Sequence, residues 1–220
     1  MEESKDIVTV NTPATVWLTG LSGAGKSTIA EATKERLDAL LGRQDKVFIL
    51  DGDVVRQGLN KDLGFSADDR AENIRRISEV SRLFTLSGQL VLSAFISPYT
   101  KDREFARECH KDSRFIEAYV STSLECCEER DVKGLYKKAR QGIIPNFTGV
   151  SDPYEAPTAA EIDLNTEGKT IDESVDELIR YLVKQGILSE NANQKEGFRP
   201  GVSRAAILPS IIEETEELFK

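Results

Sequence analysis

The densest chemistry in the chain lies in eight consecutive residues, Gly20-Leu21-Ser22-Gly23-Ala24-Gly25-Lys26-Ser27. The order G-x-x-x-x-G-K-S is that of a loop whose backbone N–H groups converge on phosphate oxygens, with a lysine for the outer phosphates and a hydroxyl for magnesium. Gly20, Ser22, Gly23, Ala24 and Gly25 are therefore read as the nucleotide cradle, continued by Lys26, Ser27 and Thr28. Lys26 is the candidate for the β- and γ-phosphates and Ser27 the candidate Mg²⁺ ligand. ATP or GTP binding follows. The loop does not choose an acceptor, because ATPases, GTPases and small-molecule kinases share it. A guanine-reading N-K-x-D is absent from the expected downstream region; Asn60-Lys61-Asp62 comes too early and lacks the spacer.

Asp51 and Asp53 are the next candidates, since carboxylates at a strand end beside such a loop can bind a magnesium-bound water or accept a proton from an attacking hydroxyl. Further on, Arg56, Arg70, Arg75 and Arg76 concentrate positive charge in an acidic chain. Some must be ordinary solvated helix charges. Arg70 and Asn73 lie three apart on an expected helix and share a face, an arrangement suited to an anionic, hydrogen-bonding acceptor.

The elements that must position these residues are legible from apolar periodicity. Thr15–Thr19 reads as a strand running into the glycine loop, and Ser27–Leu41 as a helix stopped by Gly42. Val47–Leu50 is a second strand ending at Asp51-Gly52-Asp53. A helical stretch over Arg70–Ser87 follows, then strands at Leu90–Ile96 and Phe115–Val120 separated by a charged helix at Lys101–Lys111. A weaker strand at Glu161–Leu164 precedes an amphipathic helix over Ile171–Gln185. Alternating strands and helices predict an α/β domain with the P-loop NTPase fold, a central parallel sheet flanked by helices on both faces, and ligands at the carboxyl ends of the strands. Between Asp131 and Pro157 the periodicity fades into glycine, proline and lysine, which predicts a functional loop.

Composition bounds the rest. At 220 residues the chain suits one catalytic domain plus tails. With 39% hydrophobic residues and no apolar run near the roughly 20 residues of a spanning helix, no membrane segment is expected. The acidic N-terminus does not resemble a signal peptide, which predicts a cytoplasmic protein, or a plastid one if a longer precursor exists. The net charge of −9 argues against nucleic acid as a partner. Three cysteines, two of them adjacent, form no metal-ligand spacing and read as reduced thiols; the single histidine, His110, reads as a surface residue.

Five separated blocks, LSGAGKST, LDGDVVRQGLNKDLGFSADDRAENIRR, FISPY, CEERDVKGLYKKAR and NFTGVSDPYEAP, together resemble the adenylylsulfate (APS) kinase family through most of residues 15 to 188. The resemblance implies transfer of the γ-phosphoryl group of ATP to the 3′-hydroxyl of adenosine 5′-phosphosulfate, with Mg²⁺. It implies an acceptor site of Asp53, Arg56, Phe65, Arg70 and Asn73, completed by Ile96, Ser97, Lys133 and Phe147. Arg56, Arg70 and Asn73 would hold the phosphosulfate, Phe65 and Phe147 would flank its adenine, and Asp53 would orient or deprotonate the 3′-hydroxyl. Asp51 and Lys26 complete the expected catalytic set. The resemblance also implies a mobile lid over about 131–150, Arg130 packed on the ATP adenine, and a homodimer. Val54 and Gln57 depart from the asparagine and histidine common in relatives, without removing a group assigned to chemistry.

Two rival readings fit the sequence less well. Another small-molecule kinase, for a nucleoside monophosphate or gluconate, leaves the DGD, FISP and KGLYKKAR blocks unexplained. A silent scaffold has no need to keep Lys26, Ser27, Asp53 and Arg70 together. The expected organisation is an N-terminal tail over 1–14, the kinase domain over 15–188, and a linker or extension over 189–220. In this family the kinase also occurs fused to ATP sulfurylase, and the composition of the C-terminal segment suggests such a fusion.

Overall fold

Short runs of apolar residues bounded by turns, Ala14–Thr19 and Leu90–Ala94 above all, are buried at every position because both faces of the sheet they form are covered. The computed structural model describes residues 8–190. Its elements, in order, are β1 (Val8–Val10), β2 (Ala14–Thr19), α1 (Lys26–Leu41), β3 (Val47–Asp51), α2 (Gly52–Gln57), α3 (Ala67–Leu86) and β4 (Leu90–Ala94). They continue with α4 (Thr100–Cys109), β5 (Arg114–Tyr119), α5 (Leu124–Arg130), α6 (Leu135–Arg140), β6 (Ile162–Asp163), α7 (Ile171–Lys184) and β7 (Leu188–Glu190).

Five strands form the parallel sheet in the order β3-β4-β2-β5-β6. Side chains alternate along β2: Val16 and Leu18 enter the core with α1 and α7, while Trp17 enters the other with α3 and α4. Chain order crosses the sheet at β2 and β4, so their carboxyl ends open onto the crevice where ligands bind in such sheets. The P-loop leaves β2 there, Asp51 closes β3, and Ile96-Ser97 follow β4.

Three findings differ from the sequence reading or refine it. Val8–Val10, inside the segment read as a tail, pairs antiparallel with β7, so both ends of the described chain close one small two-stranded sheet and β7 runs two residues past 188. The rest of the expected extension lies outside the described residues. The stretch read as a long loop contains α6. His110 is buried, contrary to the surface placement: its Nδ1 is 2.7 Å from the Ala106 carbonyl and its Nε2 lies 3.0 Å from Thr15 Oγ1 and 3.1 Å from Ser81 Oγ. One histidine offers no period by which a sequence could tell a core position from a surface one.

Candidate active site

The turn out of β2 is shaped by glycine. Gly20 has φ of 151°, and a Cβ there would stand 2.6 Å from the Val120 carbonyl oxygen, so no side chain fits. Gly25, at φ 108°, occupies the N-cap of α1 and supplies no capping side chain. The first N–H groups of the helix are thereby left to an anion, at the positive end of its dipole. The Lys26 ammonium turns back into the loop, donating to the carbonyls of Gly20 at 2.9 Å and Leu21 at 2.7 Å. Burial drives its pKa down to about 8, against the pull of Asp51 and Asp53, which raise it. The loop is braced from behind: Thr122 and Thr166 hydroxyls donate to the Ala24 carbonyl at 3.0 and 3.1 Å.

The two aspartates are distinguished by their partners. Asp51 caps α2, its Oδ1 accepting from the backbone of Asp53 at 2.8 Å, and its Oδ2 accepts from Ser27 Oγ at 2.6 Å. Asp53, two residues on and far more exposed, is paired with the Lys133 ammonium. Magnesium is held by oxygens, keeps several waters and usually takes one or two protein ligands beside substrate phosphates. Ser27 and Asp51, adjacent at the mouth of the loop, fit that description. Among the described residues no group of three or more His, Cys, Asp or Glu side chains forms a metal cage.

Across the same cleft, of about 980 Å³, stand the expected acceptor residues Arg56, Phe65, Arg70, Asn73, Ile96, Ser97, Lys133 and Phe147. Arg56 lies over the Phe65 ring at 4.4 Å and donates to the carbonyls of Leu63 and Gly64, which fixes the turn before α3. Arg70 is anchored by Phe65 and Asn146 carbonyls at 3.1 and 2.8 Å. Arg75 and Arg76, by contrast, turn away to Glu72 and Asp62 and are the solvated charges of the set.

Ser22, Gly23, Gly25, Lys26, Ser27 and Thr28 line the cleft, whereas Gly20 and Ala24 shape the loop from behind it. Arg130 stands outside the lining, its guanidinium donating to Thr166 Oγ1 and backbone carbonyl at 2.9 and 3.0 Å. Ser97 is 2% exposed, at φ 39°, and its hydroxyl accepts from Trp17 Nε1 at 3.1 Å. Its side chain is therefore committed to the core.

Sequence reasoning missed Tyr136, whose hydroxyl donates to the Ser22 carbonyl at 2.9 Å and whose ring meets Phe147 edge-on at 5.0 Å. This tyrosine docks α6 on the P-loop. It also missed Arg103, which binds Glu117 at 2.8 Å, the Ser97 carbonyl at 2.8 Å and the Glu155 carbonyl at 2.7 Å. An arginine in a charged helix carries no local sign that it faces inward.

The chain is similar to known proteins over most of its length. The family model described as adenylylsulphate kinase matches residues 12–165. The adenylyl-sulfate kinase of Staphylococcus epidermidis is 54% identical over 169 residues, 77% of this chain and 83% of that protein. The Mycobacterium tuberculosis APS kinase structure, in complex with AMPPNP and APS, is 46% identical with a TM-score of 0.73, covering 78% of this chain and 98% of that one. A hexameric APS kinase from Thiobacillus denitrificans is 33% identical with a TM-score of 0.62, covering 81% of this chain and 30% of that one.

Proposed function

This chain belongs to the adenylylsulphate kinase family, and from that premise we propose that its cleft transfers the γ-phosphoryl group of ATP to the 3′-hydroxyl of adenosine 5′-phosphosulfate. The products are 3′-phosphoadenosine 5′-phosphosulfate and ADP. The observation that carries the reading is the meeting, in one cleft, of an uncapped P-loop helix with Lys26 on one side and Arg56, Arg70, Asn73 and two phenylalanines on the other. Two anionic nucleotides can thus lie head to head, with Asp53 between them.

The residue roles follow from the partners each group has. Lys26 exchanges its carbonyl partners for phosphate oxygens and neutralises charge on the group in flight. Arg56 and Arg70, held by backbone carbonyls, present guanidinium edges to the phosphosulfate without further ordering cost. Phe65 and Phe147 offer faces to the acceptor adenine. Asp53 aligns the 3′-hydroxyl and accepts its proton as the new P–O bond forms and the bond to the β-phosphate oxygen breaks. A loose phosphoryl-transfer transition state asks mainly for alignment and charge, so one carboxylate suffices as base. Ser27 and Asp51 would hold Mg²⁺, which neutralises the phosphates and fixes their geometry. Lys133 brings lid charge to the site, while Tyr136 closes the P-loop side against water. Arg130, immobilised on Thr166, offers a planar cation to the ATP adenine.

Self-association is supported by the hexameric relative, and the family resemblance implies a homodimer. Light scattering on the purified chain measures it. No described helix is long and apolar enough to cross a membrane. Fusion to ATP sulfurylase concerns residues outside the described range. The central test is coupled measurement of ADP release with Mg-ATP and adenosine 5′-phosphosulfate, AMP or gluconate as acceptor. Turnover restricted to adenosine 5′-phosphosulfate supports the reading; preference for either alternative overturns it.

A further inference from the structure

Asn73 has a two-ended side chain, and the ends are not equivalent in this cleft. Its NH₂ attracts an anionic acceptor and its carbonyl repels one. Asn60 decides between them. It sits in the turn between α2 and α3, fully buried, with its backbone N–H donating to the Val55 carbonyl at 2.9 Å and its carbonyl accepting from Leu63 at 3.1 Å. From that fixed position Asn60 Nδ2 donates to Asn73 Oδ1 at 2.9 Å. Asn73 is itself 5% exposed and lines the cleft beside Arg70.

The other end of Asn60 shows why the pair has this sense. Asn60 Oδ1 is buried and has no hydrogen-bond partner among the described residues. Turning both amides over would keep one hydrogen bond between them. It would also place the two donors of the Asn60 NH₂ where the orphaned carbonyl now stands, and an unmet donor pair is worse tolerated than an under-satisfied carbonyl. The same reversal would aim the Asn73 carbonyl at the cleft. We infer that Asn60 is a positioning residue, which occupies the Asn73 carbonyl and so holds the amide donors toward the anionic acceptor. The inference rests on the acceptor reading given above.

Asn60→Asp tests it with little change of shape. When ionised, the introduced carboxyl can only accept, so Asn73 turns its NH₂ inward and its carbonyl to the cleft; when protonated, it donates as the native amide does. The expected result is a KM for adenosine 5′-phosphosulfate that rises about tenfold between pH 6 and pH 8.5, on the scale of one hydrogen bond to a charged group, while KM for ATP stays near the wild-type value and Tm falls over the same range, because burial raises the pKa of the introduced carboxyl above its unfolded value. Asn60→Ala, which frees the Asn73 amide, is expected to raise the same KM severalfold without that pH dependence. A simple structural tether predicts the opposite pattern, since the Asp variant keeps a hydrogen bond whichever way Asn73 turns. A wild-type acceptor KM in a folded Asn60→Ala protein overturns the inference whatever the Asp variant does. Failure of the wild-type protein to phosphorylate adenosine 5′-phosphosulfate would instead remove the reading beneath it.

Discussion

A buried ammonium beside a phosphate loop is costly until phosphate arrives. With its pKa pushed from 10.5 to about 8, Lys26 binds its proton more weakly in the fold than in the unfolded chain. The unfolded state therefore holds more protons between pH 8 and 10.5, and stability contributed by this residue rises with pH across that window. Below pH 8 the full cost stands, about 3 kcal/mol. Lys26→Met should thus raise Tm of the nucleotide-free protein at pH 7 and abolish turnover; a lowered Tm would show that its bonds to Gly20 and Leu21 outweigh the desolvation. Bound phosphates must restore the proton, so calorimetry in buffers of different ionisation enthalpy should find close to one proton taken up with ATP at pH 9, much less at pH 7.5, and none in the variant. Asp53→Asn, which keeps shape but loses proton-accepting ability, should lower kcat at least a hundredfold with modest change in ATP affinity. If ATP affinity falls and kcat holds, Asp53 serves the nucleotide instead.

Between residues and the site stand elements that must be held to within fractions of an ångström. Arg103 on α4 does this for the segment after β4: its guanidinium joins Glu117 of β5, the carbonyl of Ser97 and the carbonyl of Glu155. Removing Arg103 leaves the Glu117 carboxylate with Arg107 alone, at 3.2 Å, and frees two backbone carbonyls, so Arg103→Met should cost about 3 kcal/mol, read as a shift in the denaturation midpoint. The pair Arg103→Met with Glu117→Gln should recover part of that loss, because it removes a carboxylate that has lost one of its two arginines. No recovery would show that the carbonyl bonds, and not the pairing, carry the effect. His110 plays a similar part among β2, α3 and α4, and burial lowers its pKa. Its contribution is lost as pH falls below about 6.5, when the unfolded chain takes the proton first.

On the scale of the whole molecule, a short strand pair ties together the two ends of the described chain. Ile187 and Leu188 are buried among Val8, α1 and α7, while β7 pairs with β1. Truncation after Gly186 should therefore destabilise the protein by several kcal/mol, through loss of two core side chains; an unchanged Tm would show that the terminal pair is dispensable. The P-loop, the strand that feeds it and the alternation of the sheet were legible in the sequence, because glycine spacing, apolar period and turn residues act over a few positions. Five-block resemblance extended that reading to an acceptor. Which arginines face the cleft came from that resemblance and not from local pattern: Arg70 and Arg76 have similar local surroundings, and only the packing of α3 against β4 and the turn before it sends one inward and the other to Asp62. The same limit hid Tyr136, Arg103 and the Asn60–Asn73 pair, whose partners are distant in sequence or lie across a turn. Local periodicity fixes which elements form, while the direction and pairing of a polar side chain depend on what those elements meet once packed, and that information exists only in the tertiary structure.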